Sequence, residues 1–173
     1  MSIAIEPLSR NATDADRLRL ASVLLDAVAS GATVSFLADL TVADAERWWQ
    51  SVLENGDPRG VVLVARDGGQ IVGTVHLQPA WAPNQRHRAD VVKLLVLRTA
   101  RRRGIARALM REVERQARRR GFTLLMLNTR KGDAAEPLYE SLGWSRVGEV
   151  PGYALDPSGV PGDTVFFYKK LRR

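Results

Sequence analysis

The chain has 173 residues, of which 45% are apolar, a net charge of +7 and no cysteine. This length suits one domain (1–173), and the apolar fraction is high enough for a folded core. The lack of cysteine excludes disulfides, thiolate metal sites and a cysteine nucleophile, and it is compatible with a reducing compartment. His76 and His87 belong to no cluster with metal-ligand spacing, so we expect no metal and two solvated histidines.

No apolar run approaches the roughly 20 residues of a membrane span, and the first residues lack the basic start and apolar core of a signal peptide. We therefore expect a cytoplasmic protein without membrane contact. The positive charge is concentrated in residues 98–120, where ten arginines and two glutamates leave a net charge of −1 for the rest of the chain. Such a local positive field favours an anionic partner.

The first half of the chain predicts one strand, two helices and a hairpin. Apolar residues recur at helical spacing after Thr13, Thr41 is an N-cap candidate, and Gly31 and Gly56 end the two helices. Two β-branched runs on either side of the turn DGG predict the hairpin. In chain order these elements lie at 2–8, 13–31, 41–56, 61–66 and 70–79.

The second half predicts a strand–helix–strand unit, a short helix and two late strands. ADVVKLLVL and FTLLMLN are apolar, as buried strands are, and the helix between them makes a βαβ crossover. The late strands WSRVGEV and DTVFFYKKL are joined by a turn-rich loop, PGYALDPSGVPG. The order of elements predicts one mixed α/β sheet with helices on both faces. These elements lie at 89–97, 104–120, 122–128, 133–143, 144–150 and 163–171.

The stretch RRRGIARALM (101–110) is the turn at the carboxyl end of the first strand of this unit. Ile105, Leu109 and Val113 place the apolar face of the helix on the sheet, so its first N–H groups and positive dipole end lie beside the arginines. Gly104 presents no side chain that would keep an anion from the backbone. Because ligands bind at this end of the strands in open α/β sheets, the turn predicts a phosphate site.

The motif in this turn is RxxGxA, formed by Arg101, Gly104 and Ala106. It is neither a Walker loop nor the GxGxxG fingerprint of dinucleotide-binding folds. Taken alone, it is also compatible with a purely structural helix start. The arginines that follow it on the helix are interpreted as a solvated face, at positions 111, 115 and 118.

Three features together resemble the GNAT superfamily of N-acetyltransferases: VLRTARRRGIARALM after a strand, an asparagine ending the next strand, and AEPLYESLGW. RxxGxA matches the family's [Q/R]xxGx[G/A] loop for the pyrophosphate of acetyl-CoA, and LYESLGW matches its tyrosine-containing helix. The chain departs from the family pattern at Arg102, where glycine is common, and at Arg98, where proline is common. The segments GATVSFLADL, RADVVKLLVL and VGEVPGYALDPSG are similar to those of tabtoxin-resistance acetyltransferases within the family. The resemblance spans nearly the whole chain and implies a GNAT-like, largely antiparallel sheet with a central βαβ acetyl-CoA unit.

The resemblance also implies which residues bind acetyl-CoA. The N–H groups of residues 103–107 would receive the pyrophosphate, and the arginine side chains of the turn can reach the phosphates. The backbone of the strand before the turn would bind the pantetheine arm, while Asn128 would orient pantetheine or substrate, unless it caps the following turn. GATVSF (31–36) lies where the family commonly closes over its acceptor. The predicted cofactor-binding residues are Leu95, Val96, Leu97, Arg102, Arg103, Gly104, Ile105, Ala106, Arg107 and Asn128.

Acetyl transfer to an amine needs an acceptor for the ammonium proton, a polarised thioester carbonyl and a proton for the leaving thiolate. Tyr139 fills the family's tyrosine position and is the candidate acid, the alternative being a core tyrosine. Asp90 interrupts an apolar strand, where a charge is costly unless paired or functional. It is the candidate base, the alternative being an ion pair with Arg88 or Lys93. No serine or cysteine has the context of a nucleophile, which favours direct attack in a ternary complex.

The expected function is therefore an acetyl-CoA-dependent N-acetyltransferase for a primary amine of a small molecule, such as an amino-acid-like toxin or antibiotic. The alternatives are a non-catalytic acyl-CoA-binding domain and a nucleic-acid-binding module. Nucleic acid is not expected as a partner, because the basic helix commits one face to the sheet and no recognised nucleic-acid motif is present. The sequence leaves the oligomeric state open, although the strand TVFFY (164–168) could pair across a homodimer.

Overall fold

A computed structural model describes residues 3–172. Two short 3-10 turns, Pro83–Gln85 and Arg98–Ala100, flank the fourth strand. The strands and helices are, in chain order, β1 (Ala4–Pro7), α1 (Asp14–Ala29), α2 (Val42–Asn55), β2 (Val61–Asp67), β3 (Gln70–Pro79), β4 (Arg88–Val96), α3 (Ile105–Arg119), β5 (Leu124–Arg130), α4 (Glu136–Ser141), β6 (Ser145–Leu155) and β7 (Pro161–Lys170).

Local sequence signals explain where the first two helices begin. The Asp16 N–H donates to the Thr13 hydroxyl at 3.1 Å, at the start of α1. Thr41 and Asp44 form a reciprocal capping box at the start of α2. Each cap satisfies N–H groups that have no partner within the helix, and the predicted N-cap at Thr41 is confirmed.

The strands form one seven-stranded sheet in the order β1-β2-β3-β4-β5-β7-β6. All neighbouring strands are antiparallel except β4 and β5, which are parallel and connected by α3. Only Arg88–Asp90 of β4 pairs with β5, opposite Leu124–Met126. The predicted mixed, largely antiparallel sheet with a central βαβ unit is therefore confirmed.

Two apolar cores lie on the two faces of the sheet, as predicted for helices on both sides. The core under α3 and α4 contains Leu109, Met110 and Phe167, all fully buried. The core under α1 and α2 contains Leu20 and Trp49, also fully buried. Full burial of one such side chain contributes about 1.5–3 kcal/mol, so both helical layers are strongly held to the sheet.

The end of the chain differs from the prediction. Most of the predicted loop PGYALDPSGVPG is strand, because β6 continues to Leu155 and β7 begins at Pro161. A register irregularity between Val150 and Ala154 accommodates Pro151 and Gly152, and a proline is tolerated on this edge strand. The idea that TVFFY pairs across a dimer is wrong, because β7 is hydrogen-bonded on both sides, to β5 and β6.

A buried ion pair connects α3 to the last strand. The Glu114 carboxylate accepts hydrogen bonds from Lys169 Nζ at 2.7 Å and from Trp144 Nε1 at 2.9 Å. Lys169 also donates to the Leu142 carbonyl. The Glu114 side chain is only 7% exposed, so removing its cation would leave a buried negative charge.

The substitution Lys169→Met is expected to lower the free energy of unfolding by about 3 kcal/mol, because it leaves Glu114 without its buried cation. Lys170→Met is the matched control, since Lys170 is the exposed neighbour of Lys169 in the same strand. It should change the free energy of unfolding by less than about 0.5 kcal/mol. Urea unfolding measures the free energy of unfolding of both variants. Equal urea midpoints for the two variants would contradict a structural role for the ion pair between Glu114 and Lys169.

Candidate active site

A gap opens in the sheet where β4 and β5 separate. Their pairing ends at Asp90 and Met126, whereas β4 continues to Val96. The Leu97 N–H donates to the Val72 carbonyl of β3 at 2.9 Å. Because backbone groups alternate in direction along an antiparallel pair, the N–H and carbonyl of Val96 face the gap instead.

Of the predicted segment Leu95–Leu97, only Val96 therefore directs its backbone N–H and carbonyl towards the gap. Leu95 pairs with Thr74 of β3, and its side chain lies in the core under α1 and α2. The Leu97 carbonyl accepts a hydrogen bond from the Ala100 N–H. The Val96 carbonyl accepts one from Arg101 Nε at 3.1 Å, so a guanidinium covers the backbone acceptor that faces the gap.

The start of α3 forms the wall of a cavity of about 210 Å³ next to Val96. The first bond of this helix runs from the Ala108 N–H to the Gly104 carbonyl, so the preceding N–H groups have no helical acceptor. Gly104 has φ +77°, and a Cβ built there would meet no atom within 4 Å. The wall therefore presents free donors and open space. The predicted residues that line the cavity are Val96, Arg102, Gly104, Ile105, Ala106 and Arg107.

The arginines of the turn have different partners. Arg103 donates to Asp67 at 2.7 Å, and Arg107 donates to Ser141 of α4 at 2.9 Å. Arg102 lines the cavity without a side-chain hydrogen bond to any of the residues described. Of the predicted phosphate-binding side chains, Arg102 and Arg107 therefore lie at the cavity and Arg103 is turned to the β2–β3 hairpin.

The two departures from the family pattern each have a structural reason. Arg102 adopts φ +65°, a left-handed conformation that glycine takes without strain. Arg98 donates its backbone N–H and its Nε to the two carboxylate oxygens of Asp26, both at 2.8 Å. Proline has no N–H, so it could not make the first of these bonds.

A second cavity, of about 370 Å³, lies on the face of the sheet covered by α1 and α2. One wall is the predicted acceptor segment 31–36 and its continuation. The opposite walls come from β5, β6 and β7. The Ala38 N–H donates to the Pro157 carbonyl at 2.9 Å and joins the loops on either side. The lining residues are Thr33, Ser35, Phe36, Leu37, Asn128, Arg130, Tyr153, Ala154, Leu155 and Thr164.

Tyr139 is buried beneath α4, with its ring 5.6 Å from that of Phe167 and 6.3 Å from that of Trp144. Its neighbour Leu138 lines the first cavity, but Tyr139 lines neither cavity. Burial, assisted by the charge of Asp133, raises the pKa of Tyr139 well above its usual range. The phenol therefore stays protonated at neutral pH, as an acid must.

Asp90 lies at the last paired position before the gap. Arg88 donates to it at 2.6 Å, so one of the two ion pairs considered from the sequence is present. Burial raises the pKa of Asp90 above its usual range, although the nearby Arg88 opposes the shift. Asp90 is therefore both paired and easier to protonate than an ordinary aspartate.

Lys93, expected from the sequence only as a partner of Asp90, has a distinct environment. It sits at a bulge in β4 with φ +56°, where the register with β3 shifts. Its Nζ donates to Ser35 at 3.1 Å and lies 5.1 Å and 5.7 Å from the ring centres of Trp48 and Phe36. Burial lowers the pKa of Lys93 to about 8. A charge within an apolar strand, the signal that identified Asp90, could also have identified Lys93.

His76 is not solvated, contrary to expectation. It lies in β3 with 8% of its surface exposed, and its Nδ1 has no hydrogen-bond partner among residues 3–172. Burial, with the nearby Lys93, lowers the pKa of His76 to about 4, so the ring is neutral at physiological pH.

Within residues 3–172, no cluster of acidic side chains and histidines could hold a metal ion. None of the helices described is both long and apolar enough to cross a membrane.

Comparisons with known proteins agree with this architecture. The sequence model of the "Acetyltransferase (GNAT) family" matches residues 24–144. N-acetyltransferase 8 of Rattus norvegicus is 41% identical over 88 residues, which cover 50% of this chain but only 40% of that protein. Ribosomal-protein-alanine N-acetyltransferase from Brucella melitensis is 27% identical, with a TM-score of 0.79 over 97% of this chain and 99% of that one. An acetyltransferase from Salmonella typhimurium, solved with its cofactor acetyl-CoA, is 19% identical with a TM-score of 0.82 over 100% of this chain and 96% of that one.

Acetyl-CoA, the ligand expected from the sequence, can probe the start of α3. Gly104→Asp is expected to weaken its binding ten-fold or more, because a carboxylate would face the pyrophosphate. Gly104→Asn is the matched control, since asparagine has nearly the same shape and also tolerates positive φ. Calorimetric titration should show a much smaller loss for Asn than for Asp. Equal affinities in wild type and both folded variants would place the pyrophosphate elsewhere.

Proposed function

Because the chain belongs to the GNAT family of acetyltransferases, we propose that it transfers the acetyl group of acetyl-CoA to a primary amine of a small molecule. The observation that supports this proposal most is the gap between β4 and β5, with one cavity on each side. One cavity has free N–H donors at a helix start, which suits a pyrophosphate. The other has amide, hydroxyl and aromatic groups and a volume that suits a small acceptor.

In this proposal, the coenzyme lies along the free edge of β4. Its pyrophosphate accepts hydrogen bonds from the first-turn N–H groups of α3, and Arg102 and Arg107 neutralise its charge. The pantetheine arm bonds to the backbone of Val96, replacing the contact of that carbonyl with Arg101. Asn128, on the β5 side and in the second cavity, orients the acceptor.

The chemical step is direct attack by the neutral amine on the thioester carbonyl. A carbon–nitrogen bond forms, the carbon–sulfur bond breaks, and the departing thiolate takes a proton from Tyr139. The nitrogen, positively charged after the attack, loses its second proton to the resulting tyrosinate, which restores the phenol and leaves a neutral amide. Asp90 accepts the proton that the acceptor ammonium must lose. Direct attack is favoured because the chain has no cysteine and the resemblance assigns no serine as nucleophile.

The acceptor and the assembly are narrower proposals. The resemblance to tabtoxin-resistance acetyltransferases supports an amino-acid-like toxin or antibiotic as acceptor. The junction of Ala38 with Pro157 limits the room for a larger substrate.

A homodimer is proposed through the free edge of β6, where Val147, Val150 and Tyr153 expose apolar surface. Release of coenzyme A in the presence of a panel of small amines tests the transferase activity, and no release with any amine would contradict it.

Tyr139→Phe is expected to lower turnover by roughly 10²–10⁴-fold, a typical range for loss of general acid catalysis. The ring remains, so packing and acetyl-CoA affinity should change little. The loss should shrink for an acetyl donor with a more acidic thiol, which needs less proton assistance. Kinetics with both donors at saturating amine measure this.

Tyr168→Phe, a change of the same kind in β7, is the control and should leave turnover within two-fold. An equal loss of turnover with both donors in Tyr139→Phe, or no loss with either donor, would identify Tyr139 as a core tyrosine rather than the acid.

Asp90→Asn is expected to lower turnover by about 10²-fold and to remove the acid limb of the pH profile of kcat/KM. Burial raises the pKa of Asp90, so the acid limb of the wild-type profile should lie at a pH above the usual pKa of an aspartate. Acetyl-CoA affinity should be unchanged. Wild-type turnover combined with a lower free energy of unfolding would instead identify Asp90 as a structural partner of Arg88.

A further inference from the structure

We infer that the acceptor carries an anionic group beside its amine, that Arg130 binds this group in the second cavity, and that Lys93 attracts it from behind the opposite wall. The inference rests on the proposed function and adds the charge of the acceptor and the residues that select it. It starts from the charged groups that face this cavity. The lining residues include Arg130 and no aspartate or glutamate.

Arg130 ends β5, and its guanidinium has no ion-pair partner within residues 3–172. The acidic side chains nearby are already engaged with backbone N–H groups. Asp156 accepts hydrogen bonds from Ser158 and Val160, and Asp163 accepts one from Gly152. The planar fork of the Arg130 side chain therefore keeps its donors available, and such a fork suits a carboxylate or a phosphonate.

Lys93 is not among the lining residues, but it lies behind the opposite wall. Its Nζ bonds to Ser35 and faces the ring of Phe36, and both of these residues line the cavity. No carboxylate of the described chain pairs with it. The bulge directs Lys93 out of regular strand geometry, and its left-handed backbone conformation is strained for a lysine. Strain of this kind persists where surrounding structure holds it, and it is often found at functional sites.

Neither cation has a carboxylate within ion-pair distance in the described chain, although the charges of Asp156 and Arg130 attract each other at longer range. An anion bound in the cavity would pair with the Arg130 guanidinium and be attracted by Lys93, whereas a neutral acceptor would gain neither interaction. The remaining lining fits the rest of such a molecule. Asn128 and Thr164 can bond to polar groups, and Tyr153 provides an aromatic wall. The acceptor class is thus a small amine that bears an acid group.

The test compares acceptors that differ only in this charge. L-leucine is paired with L-leucinamide, and β-alanine with β-alaninamide, and coenzyme A release is measured for each. We expect the acids to have kcat/KM values at least ten-fold above those of the amides. Arg130→Gln and Lys93→Met should each raise KM for the acids ten-fold or more, with KM for acetyl-CoA unchanged and the amides affected less than two-fold. Arg111→Gln, an exposed arginine on α3, is the control and should change nothing.

Turnover of amides that equals or exceeds turnover of acids, with no effect of Arg130→Gln, would overturn the inference and leave the proposed function standing. Preference for a peptide with an N-terminal alanine would overturn it as well. If no amine is acetylated, the proposed function fails, and binding then decides the inference separately. Calorimetry with coenzyme A present should still show tighter binding of acid than of amide, and loss of that difference in Arg130→Gln. Equal binding of both members of each pair would contradict the inference.

Discussion

The short parallel pairing between β4 and β5 is the constraint on which the rest of the site depends. Three residues of each strand form the pair, ending at Asp90 and Met126, and the crossover helix α3 connects the strands. Beyond this point β4 remains bonded to β3 and β5 to β7, so each strand keeps one partner and turns a free edge to the gap. Unpaired strand edges are costly when buried, and a ligand that pairs with such an edge gains affinity from main-chain hydrogen bonds. The gap therefore interrupts the sheet, and in the proposed function it is the place where the coenzyme binds.

The residues around the gap carry local strain that the fold holds in place. Arg102 and Lys93 both adopt positive φ without being glycine, one in the turn before α3 and the other in the bulge of β4. Each conformation re-aims a side chain that regular geometry would direct elsewhere. Asp26 holds the turn through Arg98, and Ser35 holds the lysine, so elements distant in sequence stabilise both strained positions. The two cavities are thus supported by α1 and by the loop that follows it.

The elements and the glycine-containing turn before α3 could be predicted because their signals are local. The cap at Thr41, the apolar periodicity and the glycine before α3 each lie within a few residues of the structure they specify. The bulge at Lys93, the burial of His76 and the extent of β6 could not be predicted, because they depend on register with other strands. Proline and glycine in β6 resemble a loop locally, and only its place at the edge of the sheet permits them to be strand. The hydrogen-bond partner of each arginine in the turn also depends on residues distant in sequence. Only the fold shows that Arg103 binds Asp67 while Arg102 remains at the cavity.

In the proposed function, a coenzyme binds at the free edge of β4 and the start of α3, rather than along the arginine row of that helix. Amide chemical shifts of the 15N-labelled protein during titration with coenzyme A test this claim directly. The account predicts that the largest changes fall on Val96 and on residues 103–107, with little change at the exposed arginines of the second half of α3. Largest changes at Arg115 and Arg118, with Val96 unaffected, would contradict it.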